Sequence, residues 1–112
     1  MIMVYHAKRE HFVEAQNLAY LAEEEPVAAK FVSMLDVQGC YEYVASVESD
    51  DLDTAYRLTN HIDCAWWEQD GVARSHKVEK ARSTSIGDLM VAPEGIYAVM
   101  PFGFKKVKSF GG

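Results

Sequence analysis

The spacing of hydrophobic and polar positions changes several times along this chain, and each change predicts an element. Ile2 to Tyr5 is short, apolar and β-prone, which predicts a first strand ending near His6 or Ala7. From Glu10 the spacing becomes three and four. Phe12, Ala15, Gln16, Ala19 and Ala22 form one stripe, broadened by Leu18 and Leu21, as on the buried face of a helix rich in good helix formers. The run Glu23-Glu24-Glu25-Pro26 interrupts it. Proline disfavours helical geometry in the residue before it but suits the first turn of a new helix. Val27 to Leu35 is therefore a second helix, or a kinked continuation of the first, ended by Asp36 to Gly39.

Cys40 to Ser49 alternates: Tyr41, Tyr43, Ala45 and Val47 point one way, Glu42, Val44, Ser46 and Glu48 the other. That period of two predicts a half-buried strand. Ser49-Asp50-Asp51 then offers an N-cap with carboxylates at the positive end of a helix dipole. Leu52, Ala55, Tyr56, Thr59 and Ile62 make the apolar stripe of a helix over residues 51–63. Asp63 to Glu79 is irregular, with Trp66 and Trp67 placed to pin a long loop onto the core. Leu89 to Ala92, the turn Pro93-Glu94-Gly95 and Ile96 to Met100 predict a hairpin, and Phe102 to Val107 adds a last strand after a break at Pro101 and Gly103.

The order of elements predicts an α+β fold in a single domain over residues 1–112: a small antiparallel or mixed sheet of about 4–5 strands, with two to three helices packed mainly on one face. No internal repeat or linker interrupts it. Composition agrees, since 49% of the residues are hydrophobic and 12% aromatic, enough for a core without disulfides or a metal. The net charge of −6 argues against a broad basic face for nucleic acid. Lys105, Lys106 and Lys108, interleaved with Val107 and Phe110, read as the solvent side of the last strand. Glu23, Glu24, Glu25, Glu48, Asp50, Asp51 and Asp53 raise the thought of DNA mimicry, but 17 acids against 11 bases is a mild excess. Cys40 and Cys64 read as free buried thiols. The N-terminus has no signal-like apolar core, and no apolar run reaches the ~20 residues of a membrane span, so the expected location is cytoplasmic, with no membrane contact.

Three groups of residues carry candidate chemistry. Asn60, His61 and Cys64 close the third helix. Asn60 and His61 read mainly as C-capping groups, with weaker readings of His61 and Cys64 as a zinc site completed by Cys40, His6, His11 or His76, or as a Cys64–His61 dyad. No C-x-x-C or H-x-x-x-H spacing supports a metal, and none is expected, nor any cofactor. The segment Arg82-Ser83-Thr84-Ser85-Ile86-Gly87-Asp88 sets a guanidinium and three hydroxyls around a turn, which suits an anion. It equally suits a structural turn in which Ser85 and Asp88 cap backbone donors. The aromatic set Trp66, Trp67, Tyr56, Tyr97, Phe102 and Phe104 reads as core or, where exposed, as protein-interface anchors. No paired-carboxylate, Ser-His-Asp, H-E-x-x-H or G-x-G-x-x-G pattern appears at usable spacing, so the balance lies against an enzyme.

Tyr56 to Asp63 with Trp66-Trp67, then Arg82 to Asp88, Tyr97-Ala98-Val99 and Gly103-Phe104, resembles small uncharacterised proteins of bacteriophages and mobile elements. Those carry an R-S-x-S-x-G-D segment followed by a Y-x-V…G-F strand. The likeness covers roughly residues 41–107 and leaves the helical segment 10–35 as an addition to the pattern. It implies a viral accessory protein in an infected bacterium and carries no site residue with it. The resulting expectation is a non-enzymatic binding module on a host protein (host takeover or counter-defence), touching it through Trp66, Trp67, Glu68, Asp51 and Asp53. A homodimer is compatible with this expectation. The alternative is a binder of a nucleotide or other small anion through Arg82, Ser83 and Ser85 with Asn60 and His61. A small enzyme using His61 or Cys64 stands third.

Overall fold

The computed structural model describes residues 1–21, 25–60, 67, 70–75 and 82–111. In chain order its elements are β1 (Ile2–Ala7), a 3-10 turn (Arg9–His11), α1 (Phe12–Tyr20), α2 (Glu25–Asp36), β2 (Tyr41–Val47), α3 (Leu52–Thr59), β3 (Val72–Arg74), β4 (Leu89–Ala92), β5 (Gly95–Val99) and β6 (Phe104–Ser109). The strands form one antiparallel sheet in the order β3-β2-β1-β4-β5-β6. The fold is α+β, and the first strand of the chain lies inside the sheet, between β2 and β4.

Each face of the sheet carries its own core. On one, Ala7, Tyr41, Leu89, Ile96, Ala98 and Val107 meet Ala15, Leu18 and Ala19 of α1 and Val27, Phe31 and Met34 of α2. On the other, Ile2, Val4, Val44, Val47, Met90 and Val99 meet Ala55 of α3, with Leu52, Tyr56 and Trp67 partly buried around them. Two helices thus share one face, and α3 covers the opposite one. The strict alternation along β1 sorts its side chains: Ile2 and Val4 go to the α3 face, Tyr5 and Ala7 to the α1–α2 face. A register shift opposite Val4 and Tyr5 lets both Val44 and Ala45 of β2 join the α3-side core.

Two boundaries differ from the sequence expectation. Among the described residues the sheet has six strands, because Val72–Arg74, inside the stretch expected to be irregular, pairs with Ala45–Val47. Three residues, two of them exposed, are too few to carry a period-two signal. The third helix ends at Thr59, with Asn60 as C-cap in a non-helical conformation (φ −109°, ψ 62°). The expected turns at residues 61–63 lie outside the described residues. Its start is as expected: the Asp51 carboxylate accepts from the Thr54 amide at 3.3 Å and the Thr54 hydroxyl at 2.7 Å.

Candidate functional site

The densest polar cluster is built on the turn from Arg82 to Asp88. Asp88 is fully buried, and its two carboxylate oxygens accept four hydrogen bonds. Arg82 donates two of them as a fork, Nη1 at 2.6 Å and Nη2 at 2.7 Å, and the amides of Ala7 (2.9 Å) and Ser85 (2.7 Å) donate the others. The guanidinium also donates to the carbonyls of Ala7 and Ser83, both at 3.0 Å, and lies over the Phe12 ring, 4.4 Å from its centroid. Asp88's own backbone closes the turn with Ser85 and pairs with Val99.

The same turn reaches the remaining layers. The Thr84 hydroxyl meets His6 Nε2 at 2.9 Å, and the Thr84 amide donates to the Thr59 carbonyl at 2.8 Å. Asn60 Nδ2 donates to the Thr84 carbonyl and, at 3.1 Å, to the Tyr56 hydroxyl. Tyr41 Oη donates to the Gly87 carbonyl at 2.6 Å. Gly87 has φ +94°, and a Cβ there would stand 2.7 Å from the backbone carbon of Ala15, so α1 sits directly on the turn. Burial lowers the pKa of His6 to about 4; the nearby Asp88 carboxylate opposes that shift and Arg82 adds to it, so the imidazole is neutral at neutral pH. Burial likewise raises the Tyr41 phenol, which stays protonated as a donor.

Arg82, Ser83, Ser85 and Asn60, expected as an anion site, do gather around this one turn. The fork of Arg82 already holds a carboxylate, that of Asp88; the segment's side chains bind β1, its backbone groups bind β2, β5 and the end of α3, and α1 packs on Gly87. The signal was in the sequence: the motif carries both members of its ion pair six residues apart, with a turn glycine between them. His61 and Cys64 lie outside the described residues.

No family model, curated protein or solved structure matches this chain.

Of the residues expected at a protein contact, Trp66 and Glu68 lie outside the described residues. Trp67 is half-buried against the α3-side core, with the Arg74 guanidinium 5.3 Å from its ring centroid. Tyr56, Tyr97 and Phe104 border the same core, Tyr56 and Phe104 meeting edge to face at 6.1 Å, while Phe102 is bare at the β5–β6 turn. Asp51 is committed to the α3 cap, and Asp53 is exposed in the first turn of that helix. Among the described residues no helix is long and apolar enough to cross a membrane.

Two further features were not read from the sequence. An open groove of about 720 Å³ runs between α1 and α2, with Val13, Leu18, Leu21 and Met34 as apolar lining and Glu14, Asn17, Lys30, Ser33 and Gln38 as polar lining. Val13 is 65% and Leu21 59% exposed, and Tyr20 is also bare. Leu18 is buried as the stripe predicts, but Leu21, expected on the same buried face, is the C-cap of α1 and turns out to solvent, beside Val13, Asn17 and Tyr20 on the outer side of the helix. The second feature brings His11 and Cys40 together with Glu14, their donor atoms all within 4.8 Å of one another.

Proposed function

We propose that this chain is a non-enzymatic binding module that holds an amphipathic helical segment of a partner protein in the α1–α2 groove. The observation that carries the reading is the exposure of Val13 and Leu21 along a groove lined also by Leu18 and Met34, with polar residues interspersed. Helix-in-groove recognition uses such a surface, with apolar side chains at i, i+3 or i+4 and i+7 entering between two helices. Isolated exposed apolar residues are ordinary, but several gathered along one groove mark an interaction surface. The groove is also the wrong shape for an anion site, since its charged groups, Glu14 and Lys30, are of opposite sign and its lining is chiefly apolar. The main cationic candidate elsewhere, Arg82, is forked onto Asp88.

The resemblance to bacteriophage proteins supports a host bacterial protein as the partner and host takeover or counter-defence as the context. It covers roughly residues 41–107, whereas the groove is made by residues 13–38. On this reading the shared part is scaffold, knitted by the Arg82–Asp88 turn, and the added helical segment chooses the partner. The contact therefore moves from the Trp66/Trp67 loop to α1 and α2.

The test is native mass spectrometry of the chain purified gently from bacteria, followed by hydrogen exchange on any complex. The expected result is a bound polypeptide protected over one helical segment, with matching protection of α1 and α2 in this chain. Val13→Glu with Leu21→Glu should abolish the complex and leave circular dichroism and Tm unchanged, because both side chains are exposed. A complex that survives this double variant, or one lost only on Trp67→Ala, overturns the assignment.

A further inference from the structure

The geometry points to a divalent transition-metal site formed by His11, Glu14 and Cys40, with zinc the ion best matched to its imidazole, carboxylate and thiolate donors. His11 ends the 3-10 turn and caps α1, and Glu14 follows three residues later, so helical geometry sets the two side chains on one side. His11 Nδ1 and Glu14 Oε1 are 3.7 Å apart. Cys40 comes from the link between α2 and β2, buried in the core those helices share. It is held there by two backbone hydrogen bonds, from its amide to the Met34 carbonyl at 2.9 Å and from the Lys8 amide to its carbonyl at 2.8 Å.

The spacing fits the coordination chemistry. Metal–ligand bonds of about 2.0–2.3 Å at tetrahedral angles put donor atoms roughly 3.3–3.8 Å apart. The His11–Glu14 pair already has that separation, and the whole set lies within 4.8 Å, about 1 Å beyond it. The remaining closure falls to the exposed Glu14 and half-exposed His11 side chains, while buried Cys40 stays fixed. Gln38 Oε1, 3.8 Å from Cys40 Sγ, offers a fourth oxygen, or water takes that corner. Oxygen-only sites suit magnesium and calcium, whereas a donor set with a thiolate and an imidazole selects zinc-like ions. Two ligands at the head of α1 and one at the entrance to β2 would make the ion a clip between segments far apart in the chain.

Reduced protein, stripped with a chelator and dialysed, should be titrated with Co²⁺ and then Zn²⁺. The expected result is a near-ultraviolet thiolate-to-cobalt charge-transfer band with visible tetrahedral d–d bands, saturating at one cobalt per chain and erased by zinc. Cys40→Ser should remove the charge-transfer band. His11→Ala and Glu14→Gln, both at solvent-reached positions, should each weaken cobalt binding about tenfold or more with unchanged circular dichroism. Zinc should raise Tm in the parent chain and not in Cys40→Ser. Cys64→Ser should behave as the parent. Absence of the band, its survival in Cys40→Ser, its loss in Cys64→Ser, or unweakened binding in His11→Ala overturns the site.

Discussion

Replacing Asp88 by asparagine changes one oxygen to an amide nitrogen and leaves side-chain volume nearly constant, so the substitution isolates charge and hydrogen bonding. In the native fold the carboxylate accepts from Arg82 twice, at 2.6 and 2.7 Å, and from the Ala7 and Ser85 amides at 2.9 and 2.7 Å, with no solvent exposure. An asparagine amide group must face at least one of these donors with its own hydrogens, whichever way it is turned. Removing one partner of a buried ion pair typically costs about 3–5 kcal/mol. Arg82 is 34% exposed and regains some water, which favours the lower half of that range. Even about 3 kcal/mol is a large share of the 5–15 kcal/mol that is typical of a whole domain, and corresponds to a fall in Tm of at least about 12 °C. Urea unfolding of the parent, Asp88→Asn, Arg82→Met and the double variant completes a cycle. The pair should show a coupling of about 1–3 kcal/mol, because neither side chain has a reason to stay without the other. A cost below about 1 kcal/mol for Asp88→Asn, or additivity within about 0.5 kcal/mol, would refute the structural role assigned to this turn.

The pH dependence of stability should carry the signature of His6. Its folded pKa of about 4 lies below the ordinary 6.5, so the folded chain resists a proton that the unfolded chain accepts; the associated stability is complete above pH 6.5 and is lost as pH falls towards 4, on the order of 3 kcal/mol in all. His6→Gln should flatten urea midpoints in that window relative to the parent, and parallel profiles would contradict the burial argument. Gly87→Ala should cost about 2–5 kcal/mol, since a positive φ is combined with a Cβ only 2.7 Å from the Ala15 backbone. Gly39→Ala is the matched control, with φ +63° but nothing within 4 Å, and should cost about 1 kcal/mol; equal losses at the two glycines would show that crowding by α1 is not the cause.

The elements with strong periodicity could be read from the chain because their burial is regular. Cys40 to Ser49 alternates in sequence, and β2 occupies Tyr41–Val47, but the register shift breaks the expected grouping, sending Tyr41 to the α1–α2 face and Val44, Ala45 and Val47 to the α3 face; Phe12, Ala15 and Ala19 recur at helical spacing, and α1 occupies Phe12–Tyr20. The strand Val72–Arg74 could not be read, since it exists by virtue of β2 beside it and has little burial of its own. The site was half visible. Arg82, Ser83, Ser85 and Asp88 advertise a polar turn, and the sequence allowed either an anion or a cap. It could not show that β1 delivers the Ala7 amide and carbonyl and His6 to the same place, across more than 70 positions of chain. Nor could it show that Cys40 lands beside His11 and Glu14, because that depends on how the α1–α2 layer is laid over the sheet.

The position of β1 bears on how the chain is made. During synthesis the ribosome releases Ile2–Ala7 ahead of its partners, and β2 can join it once residue 47 has emerged, leaving the opposite edge of β1 bare until Leu89–Ala92 arrives. Through that interval Leu89, Met90, Ile96, Ala98 and Val99, which complete both cores, are still missing, and so is the Arg82–Asp88 turn that fastens the layers. A nascent chain in this condition shows a free strand edge flanked by unfinished apolar surface, the state in which chaperones bind and neighbouring chains aggregate. Stable folding of this sheet therefore waits for residues 82–99, and a chain cut short before them lacks both the turn and the strands that close the two cores.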